Sequence, residues 1–315
     1  MSPTEYPEYN HCQLCPRMCG VNRNAGERGF CGETADCRIA AAVAHFGEEP
    51  CLIGTHGSGT IFFAGCSCGC FFCQNYQISH DYQGVTISFK DMINKIVELA
   101  EKGVHNINFV TPDHWWPHIH KICLEVRKRG IEIPFLWNSS GYCRAELLKE
   151  QAELIDIFLP DYKFAIPALA QQCMGDANYP EIAMDGLKVM VDRCGFLRPF
   201  DETGEMVANR GVMVRHLVLP GQVENSLMVL DHLYHEFGPQ LPISVMSQFR
   251  PMPQCMKKNF LTGMVTEKEY AQVCEKIENL GFFRVFIQPH CGDENFVPDF
   301  KKDQPFSGNE EHQNK

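Results

Sequence analysis

After residue 57 the chain alternates short β-rich apolar runs with longer segments of helical period, and this alternation restricts the fold more than any other feature. The apolar runs are TIFFAG (60–65), HNINFV (105–110), IPFLWN (133–138), IDIFLP (155–160), GVMVRHLVLP (211–220), PISVMS (242–247) and FRVFIQP (283–289). Between the first two, residues 88–103 read as a helix: Ser88 and Asp91 form a capping box, Ile93, Ile96, Val97 and Ala100 share a face, and Gly103 ends it. Further helices are expected over 115–129, from 144, over 181–193, from Glu224 to Phe237, and after Thr266, which pairs with Glu269 as a capping box. Alternating β and α units imply a parallel sheet with helices outside, and six or seven units suit a barrel or an open part-barrel.

Polar residues follow the apolar runs at nearly every step: Cys66, then Thr111, Asp113 and His114, then Asn138, Ser139 and Ser140, then Asp161 and Lys163, and later Gln248, Arg250, Gln288 and His290. Barrels of this kind build their sites at the carboxyl ends of the strands, so these residues are expected to meet at one mouth. Asn138 with Ser140, and Asp161 with Lys163, stand two apart and would face the same side if the strand continues. The expected fold class is therefore α/β: a partial (β/α)6 TIM-type barrel over residues 56–295, a small cysteine-rich metal-binding extension over 1–55, and a polar tail over 296–315. The extension holds one apolar stretch, RIAAAVAHF (38–46), too little for a core of its own.

With 315 residues, 44% of them hydrophobic, the barrel has material for a sizeable core. The net charge of −11 argues against nucleic acid and anionic membranes as partners, because both are bound by clustered Lys and Arg. No window approaches the ~18 apolar residues of a membrane span, and the N-terminus has no signal-peptide pattern. A cytoplasmic location is expected. Seventeen cysteines, an odd number, exclude a complete set of internal disulfides, and their clustering points to metal or iron–sulfur chemistry.

The densest cluster is GCSCGCFFCQN (65–75), directly after the first apolar run. Cys66, Cys70 and Cys73 have the spacing C-x3-C-x2-C, which can ligate three irons of a [4Fe–4S] cluster and leave the fourth open to a small molecule. Cys68 is an extra sulfur. Four ligands to one zinc are the alternative, but the single-residue gaps lie outside the x2–4 spacing usual for structural zinc. This motif, with GSGTIFFAGC, NSSGY, LPDYKF and VRHLVLPG, resembles the radical S-adenosylmethionine (SAM) superfamily and, within it, homologues of pyruvate formate-lyase activating enzyme, over roughly residues 12–300.

The resemblance implies an oxidoreductase-type radical enzyme. SAM would chelate the open iron, a cluster electron would split its sulfonium bond, and the 5′-deoxyadenosyl radical would take hydrogen from a substrate, glycyl-radical activation of a partner protein being one option. It also implies a one-electron donor such as flavodoxin or ferredoxin, adenine contact at the backbone of Phe72, and SAM contacts at Thr111 and Asp113, which stand where relatives carry Gly-Gly-Glu. Asn138, Ser140, Asp161, Lys163, Arg215 and Gln248 are the remaining cofactor candidates. Arg215 is chosen over its neighbour His216 because its fork suits a carboxylate.

A second group, Cys12, Cys15, Cys19 and Cys31, has the spacing C-x2-C-x3-C-x11-C and suits zinc or a second iron–sulfur cluster equally. Arg17, Arg23 and Arg28 interleave with it. His45, Glu48 and Glu49 fit a functional loop and a polar turn equally, and His290 with Cys291 are further candidates. The competing functional class is a non-catalytic iron–sulfur or zinc protein, an electron carrier or scaffold.

Overall fold

The structure is a computed structural model and describes residues 6–290 and 297–306. Ten strands are described: β1 Arg38–His45, β2 Ser58–Phe63, β3 Val85–Thr86, β4 Ile107–Val110, β5 Phe135–Ser139, β6 Ile157–Pro160, β7 Gly211–Val212, β8 Val214–Leu217, β9 Ile243–Met246 and β10 Val285–Ile287. They form a seven-stranded sheet in the order β3-β1-β2-β4-β5-β6-β7 and a three-stranded sheet β10-β9-β8. The steps β2-β4-β5-β6-β7 and β8-β9-β10 are all parallel. A parallel bridge between Asp161 and Arg215 carries the run from one sheet to the other.

This is a mixed α/β fold with a parallel sheet. Every residue of β2, β4, β5 and β6 is buried, as expected of strands covered on both faces. The helices lie where periodicity and capping place them: Phe89–Glu101, Trp116–Lys128, Tyr179–Cys194, Val223–Phe237 and Glu267–Leu280. Thr266 and Glu269 make the reciprocal capping box. At Ser88 the box is different, because the serine hydroxyl accepts from the Asp91 amide and donates to the Asp91 carboxylate. A short helix, Pro167–Met174, falls where no element is expected.

Residues 38–46 are not part of a free-standing extension. They form β1, which pairs antiparallel with β2 from Ile39↔Phe63 to His45↔Ser58. The segment before β1 is docked on the helix Trp116–Lys128: the Tyr6 ring stacks on His118 at 4.0 Å, and the Tyr9 hydroxyl is 2.8 Å from His118 Nδ1. The buried guanidinium of Arg23 lies over Tyr9 and Trp115 and donates to the carbonyl of His114 at 2.6 Å. Among the described residues, no helix is long and apolar enough to cross a membrane.

Candidate functional site

The loop after β2 is anchored on both sides before it reaches its cysteines. His114 Nε2 and Trp115 Nε1 both lie within hydrogen-bond distance of the Ala64 carbonyl, at 2.9 and 3.1 Å. Beyond the first cysteines, the Phe71 amide donates to the Cys173 carbonyl at 3.1 Å, and His80 Nε2 lies 2.8 Å from the Cys70 carbonyl. The thiols of Cys66, Cys68, Cys70 and Cys73 therefore sit on a fixed backbone.

All four line one cavity of about 260 Å³, close to the small-molecule pocket scale of ~300 Å³ and too small for a folded partner. The same cavity is lined by Phe72, Thr111, Asn138, Ser140, Asp161, Lys163, Arg215 and Gln248. Residues from β1, β2, β4, β5, β8 and β9 thus meet in one space, and the cysteine loop follows the carboxyl end of β2, the first strand of the parallel run. Phe72 is buried among Phe71, Phe164 and Phe249.

His114, Arg250 and Gln288, expected at the same mouth, do not line the cavity, nor, among the cofactor candidates, does Asp113. It is buried away from the cavity, where its Oδ1 accepts from Trp137 Nε1 at 3.3 Å and from the Cys143 thiol at 2.9 Å, and burial raises its pKa to about 6. The cause lies two residues earlier. Thr111 has φ of +55°, a left-handed conformation rare for a β-branched residue, and it turns the chain so that Thr111 faces the cavity and Asp113 does not. Strain of this kind recurs at functional sites. His290 is also outside, with Nε2 2.9 Å from the Val265 carbonyl. Cys291 lies outside the described residues, as do 296 and 307–315 of the expected tail.

Arg215 contacts carboxylates, but they are the chain's own. Nη1 donates to Glu48 Oε2 at 2.9 Å, Nη2 donates to Asn138 Oδ1, and Nε lies 3.4 Å from Asp161 Oδ1. Glu48 Oε1 in turn accepts from Asn108 at 3.0 Å and Asn138 at 3.2 Å. Lys163 Nζ is paired with Asp161. Burial would push the Asp161 carboxyl up, but Lys163 and Arg215 hold it below the usual carboxylate range. Burial likewise opposes the Lys163 charge, and the Asp161 carboxylate more than offsets this. The floor of the mouth is a network of two cations and two anions, with Lys163 facing the sulfurs.

Several cavity residues carried no clear signal in the sequence. Glu48 follows β1, and nothing in RIAAAVAH says that this stretch carries the loop after it into the cavity. Phe306 reaches back from the C-terminal segment to stack near His45, with ring centroids 4.3 Å apart. Ser79, in the short helix Tyr76–Ser79, also lines the cavity, and its buried hydroxyl has no hydrogen-bond partner among the described residues.

The donor set suits an iron–sulfur cluster. Burial pushes the thiols of Cys66 and Cys73 above their ordinary range, so they are protonated until a metal binds and displaces the protons. Nearby backbone N–H groups pull the Cys66 thiol down against burial, and N–H groups so placed are the kind of donors that stabilise cluster sulfurs. Among the described residues no three or more His, Cys, Asp or Glu side chains converge to hold a single ion. A cluster spreads its thiolates over separate irons and needs no such convergence. In the second group Cys12, Cys15 and Cys31 are buried, and Cys19 is exposed with its sulfur over Gly29.

His216 faces away from the cavity. Its Nδ1 lies 2.8 Å from the Tyr162 carbonyl and its Nε2 2.9 Å from Ser226 Oγ. A carbonyl only accepts, so Nδ1 carries the hydrogen and the Ser226 hydroxyl donates to Nε2. Burial holds this imidazole neutral, with a pKa lowered from 6.5 to about 4. The unfolded chain therefore binds the extra proton between those values, and the histidine's contribution is complete above pH 6.5 and lost as pH falls toward 4. At 1.36 kcal/mol per unit this is about 3 kcal/mol. Urea denaturation of wild type and His216→Gln should show the wild-type advantage shrinking by about that amount between pH 7 and pH 4.

No family model matches the chain. It is similar to an uncharacterized protein of Methanocaldococcus jannaschii, 27% identical over 277 residues that make up 86% of this chain and 75% of that protein. Among solved structures it is similar to HydG, a maturase of the [FeFe]-hydrogenase, with a TM-score of 0.48 and 16% identity over 70% of this chain and 49% of that one. It is also similar to methylornithine synthase (PylB), with a TM-score of 0.48 and 12% identity over 70% of this chain and 60% of that one. The chain thus spans between about half and three-fifths of the length of those two proteins.

Proposed function

We propose that this protein is a radical SAM enzyme. The observation that carries the reading is the shared cavity: three thiols at C-x3-C-x2-C spacing and polar groups from the ends of successive strands open onto one space of small-molecule size. When bound, the cluster supplies a low-potential electron that splits the sulfonium bond of SAM, and the resulting 5′-deoxyadenosyl radical abstracts hydrogen from the substrate. Cys66, Cys70 and Cys73 hold the cluster. Phe72 closes the loop against water and offers its backbone to adenine, while Thr111, Asn138 and Ser140 supply polar contacts to the amino acid and ribose parts. Lys163 and Arg215 provide positive charge at the mouth, each oriented by Asp161.

A glycine of a partner protein is one substrate option that the resemblance carries, with the electron coming from a flavodoxin or ferredoxin and the reaction taking place in the cytoplasm. The cavity admits a peptide segment or a small molecule. The Cys12, Cys15, Cys19 and Cys31 group is a candidate for a second cluster or a zinc ion.

Anaerobic reconstitution followed by iron, sulfide and zinc analysis tests the reading. One [4Fe–4S] cluster per chain, and 5′-deoxyadenosine released from SAM on addition of dithionite, are the expected results. Zinc without visible absorption, or a full cluster that leaves SAM intact, overturns it. Iron beyond one cluster assigns the second site to iron, and one zinc beside it assigns that site to zinc.

A further inference from the structure

The N-terminal segment reaches the cysteine loop through Arg17 and Phe30. Arg17 stands between Cys15 and Cys19, and its Nε donates to the Ser67 carbonyl at 3.0 Å while its Nη2 donates to the Cys68 carbonyl at 2.9 Å. Nη2 also donates to the Met174 carbonyl at 2.7 Å, at the C-terminus of the helix Pro167–Met174, where a cation is favoured. The Phe30 ring lies on the guanidinium at 3.8 Å. That ring also packs against Gly69, whose φ is +68° and where an added Cβ would come within 2.7 Å of it. Only glycine fits there without displacing the phenylalanine that backs Arg17.

The consequence follows from peptide geometry. A trans peptide is planar, and its C=O and N–H point in opposite directions. The carbonyls of Ser67 and Cys68 belong to the same peptide units as the amides of Cys68 and Gly69. Burial pushes the Cys66 thiol up, and those two amides act in the opposite direction, pulling it down as N–H groups turned toward the sulfur do. Fixing the oxygens at Arg17 therefore fixes the hydrogens at the sulfur, and the cation on the oxygen side polarises both peptides toward stronger donation.

We propose that Arg17 is a positioning residue for the cysteine loop: by holding the Ser67 and Cys68 carbonyls it aims two N–H donors at Cys66 and so raises the reduction potential of the cluster bound there. The redox half of this inference rests on the proposed function, in which Cys66 is a cluster ligand. Hydrogen bonds to cluster sulfurs favour the more negative, reduced form, which sets the direction. The N-terminal segment thereby acts on the reaction without entering the cavity.

Arg17→Gln removes the charge and the fork, and Arg17→Lys keeps the charge alone. Arg129→Gln, which alters an exposed arginine paired with Glu125, is the control. In metal-free protein, hydrogen–deuterium exchange read by mass spectrometry over residues 67–70 should speed up at least tenfold in Arg17→Gln, less in Arg17→Lys, and not in Arg129→Gln. In reconstituted protein, the reduced-to-oxidised cluster ratio at a fixed poise should fall about tenfold in Arg17→Gln, which is 59 mV for one electron. If Arg17→Gln does not fold by circular dichroism, Arg17→Lys carries both readouts. Exchange and ratio both within twofold of wild type overturn the proposal, and faster exchange with an unchanged ratio overturns its redox half. A wild type that assembles no cluster overturns the proposed function and the redox half with it, while the exchange measurement still decides whether Arg17 holds the loop.

Discussion

Cys70→Ala, reconstituted anaerobically and reduced with dithionite in the presence of SAM, is expected to release 5′-deoxyadenosine only at the no-enzyme background. Cys68→Ala is expected to keep its iron and to release product within about threefold of wild type, a difference below 1 kcal/mol in barrier. The contrast matters because the two sulfurs are only 3.4 Å apart and Cys68 is the more buried. Two thiolates on one tetrahedral metal with bonds of about 2.3 Å lie roughly 3.8 Å apart. Cys68 and Cys70 are therefore alternatives for a single iron and cannot serve two. The sequence spacing selects Cys70. The structure adds that the peptide following it is held at both its ends, by the Phe71 amide on the Cys173 carbonyl and by His80 on the Cys70 carbonyl. The Cys68 backbone is held too, by Arg17 on its carbonyl, but its sulfur packs on the Met174 thioether at 3.7 Å. Activity retained in Cys70→Ala and lost in Cys68→Ala would transfer the ligand to Cys68.

The parallel strands were legible because burial on both faces leaves continuous apolar runs such as TIFFAG and IDIFLP, and because helix caps at Ser88 and Thr266 mark where the pattern changes. The cavity residues were legible for a related reason: a polar residue that directly follows a buried strand sits at the mouth by geometry. Asp113 shows where that inference stops. It depends on the backbone continuing in the strand direction, and the positive φ of Thr111 breaks that continuity with a residue type that gives no sign of it. Glu48 could be read equally as part of a functional loop and as part of a polar turn, because nothing in RIAAAVAH says that this apolar stretch pairs with the first parallel strand and carries the loop after it into the cavity. Arg17 was visible only as one of three arginines among thiols. Its partners are main-chain carbonyls some fifty residues away, and no side-chain pattern encodes a bond to a backbone. Local periodicity reads out elements, whereas contacts between distant backbones appear only once those elements are packed.

The network at the mouth makes Arg215 the residue whose loss the fold should tolerate least. Arg215→Met keeps most of the side-chain volume but leaves Glu48 and Asp161 facing each other across a site where their side chains are only 8% and 16% exposed. Removing one partner of a buried pair typically destabilises by 3–5 kcal/mol, because the remaining charge has lost both its water and its counterion. A loss of about that size at pH 7 is a large part of a domain stability of ~5–15 kcal/mol. The pH dependence identifies the cause. In wild type the Asp161 carboxyl is held below its ordinary range, so its contribution is present above the unfolded value near 3.8 and lost as pH falls through the lower folded value. Without Arg215 the folded pKa rises, and the carboxyl protonates earlier in an acid titration. The stability gap between wild type and Arg215→Met should therefore be widest near neutrality and should narrow as pH falls toward 4. Asp161 still has Lys163 in the variant, so adding Glu48→Gln removes the carboxylate whose cation is gone and should recover about 1–2 kcal/mol in a double-mutant cycle. A gap that stays constant with pH, or a cycle with no coupling, would mean that Arg215 acts by packing alone and that the four charges at the mouth are independent of one another.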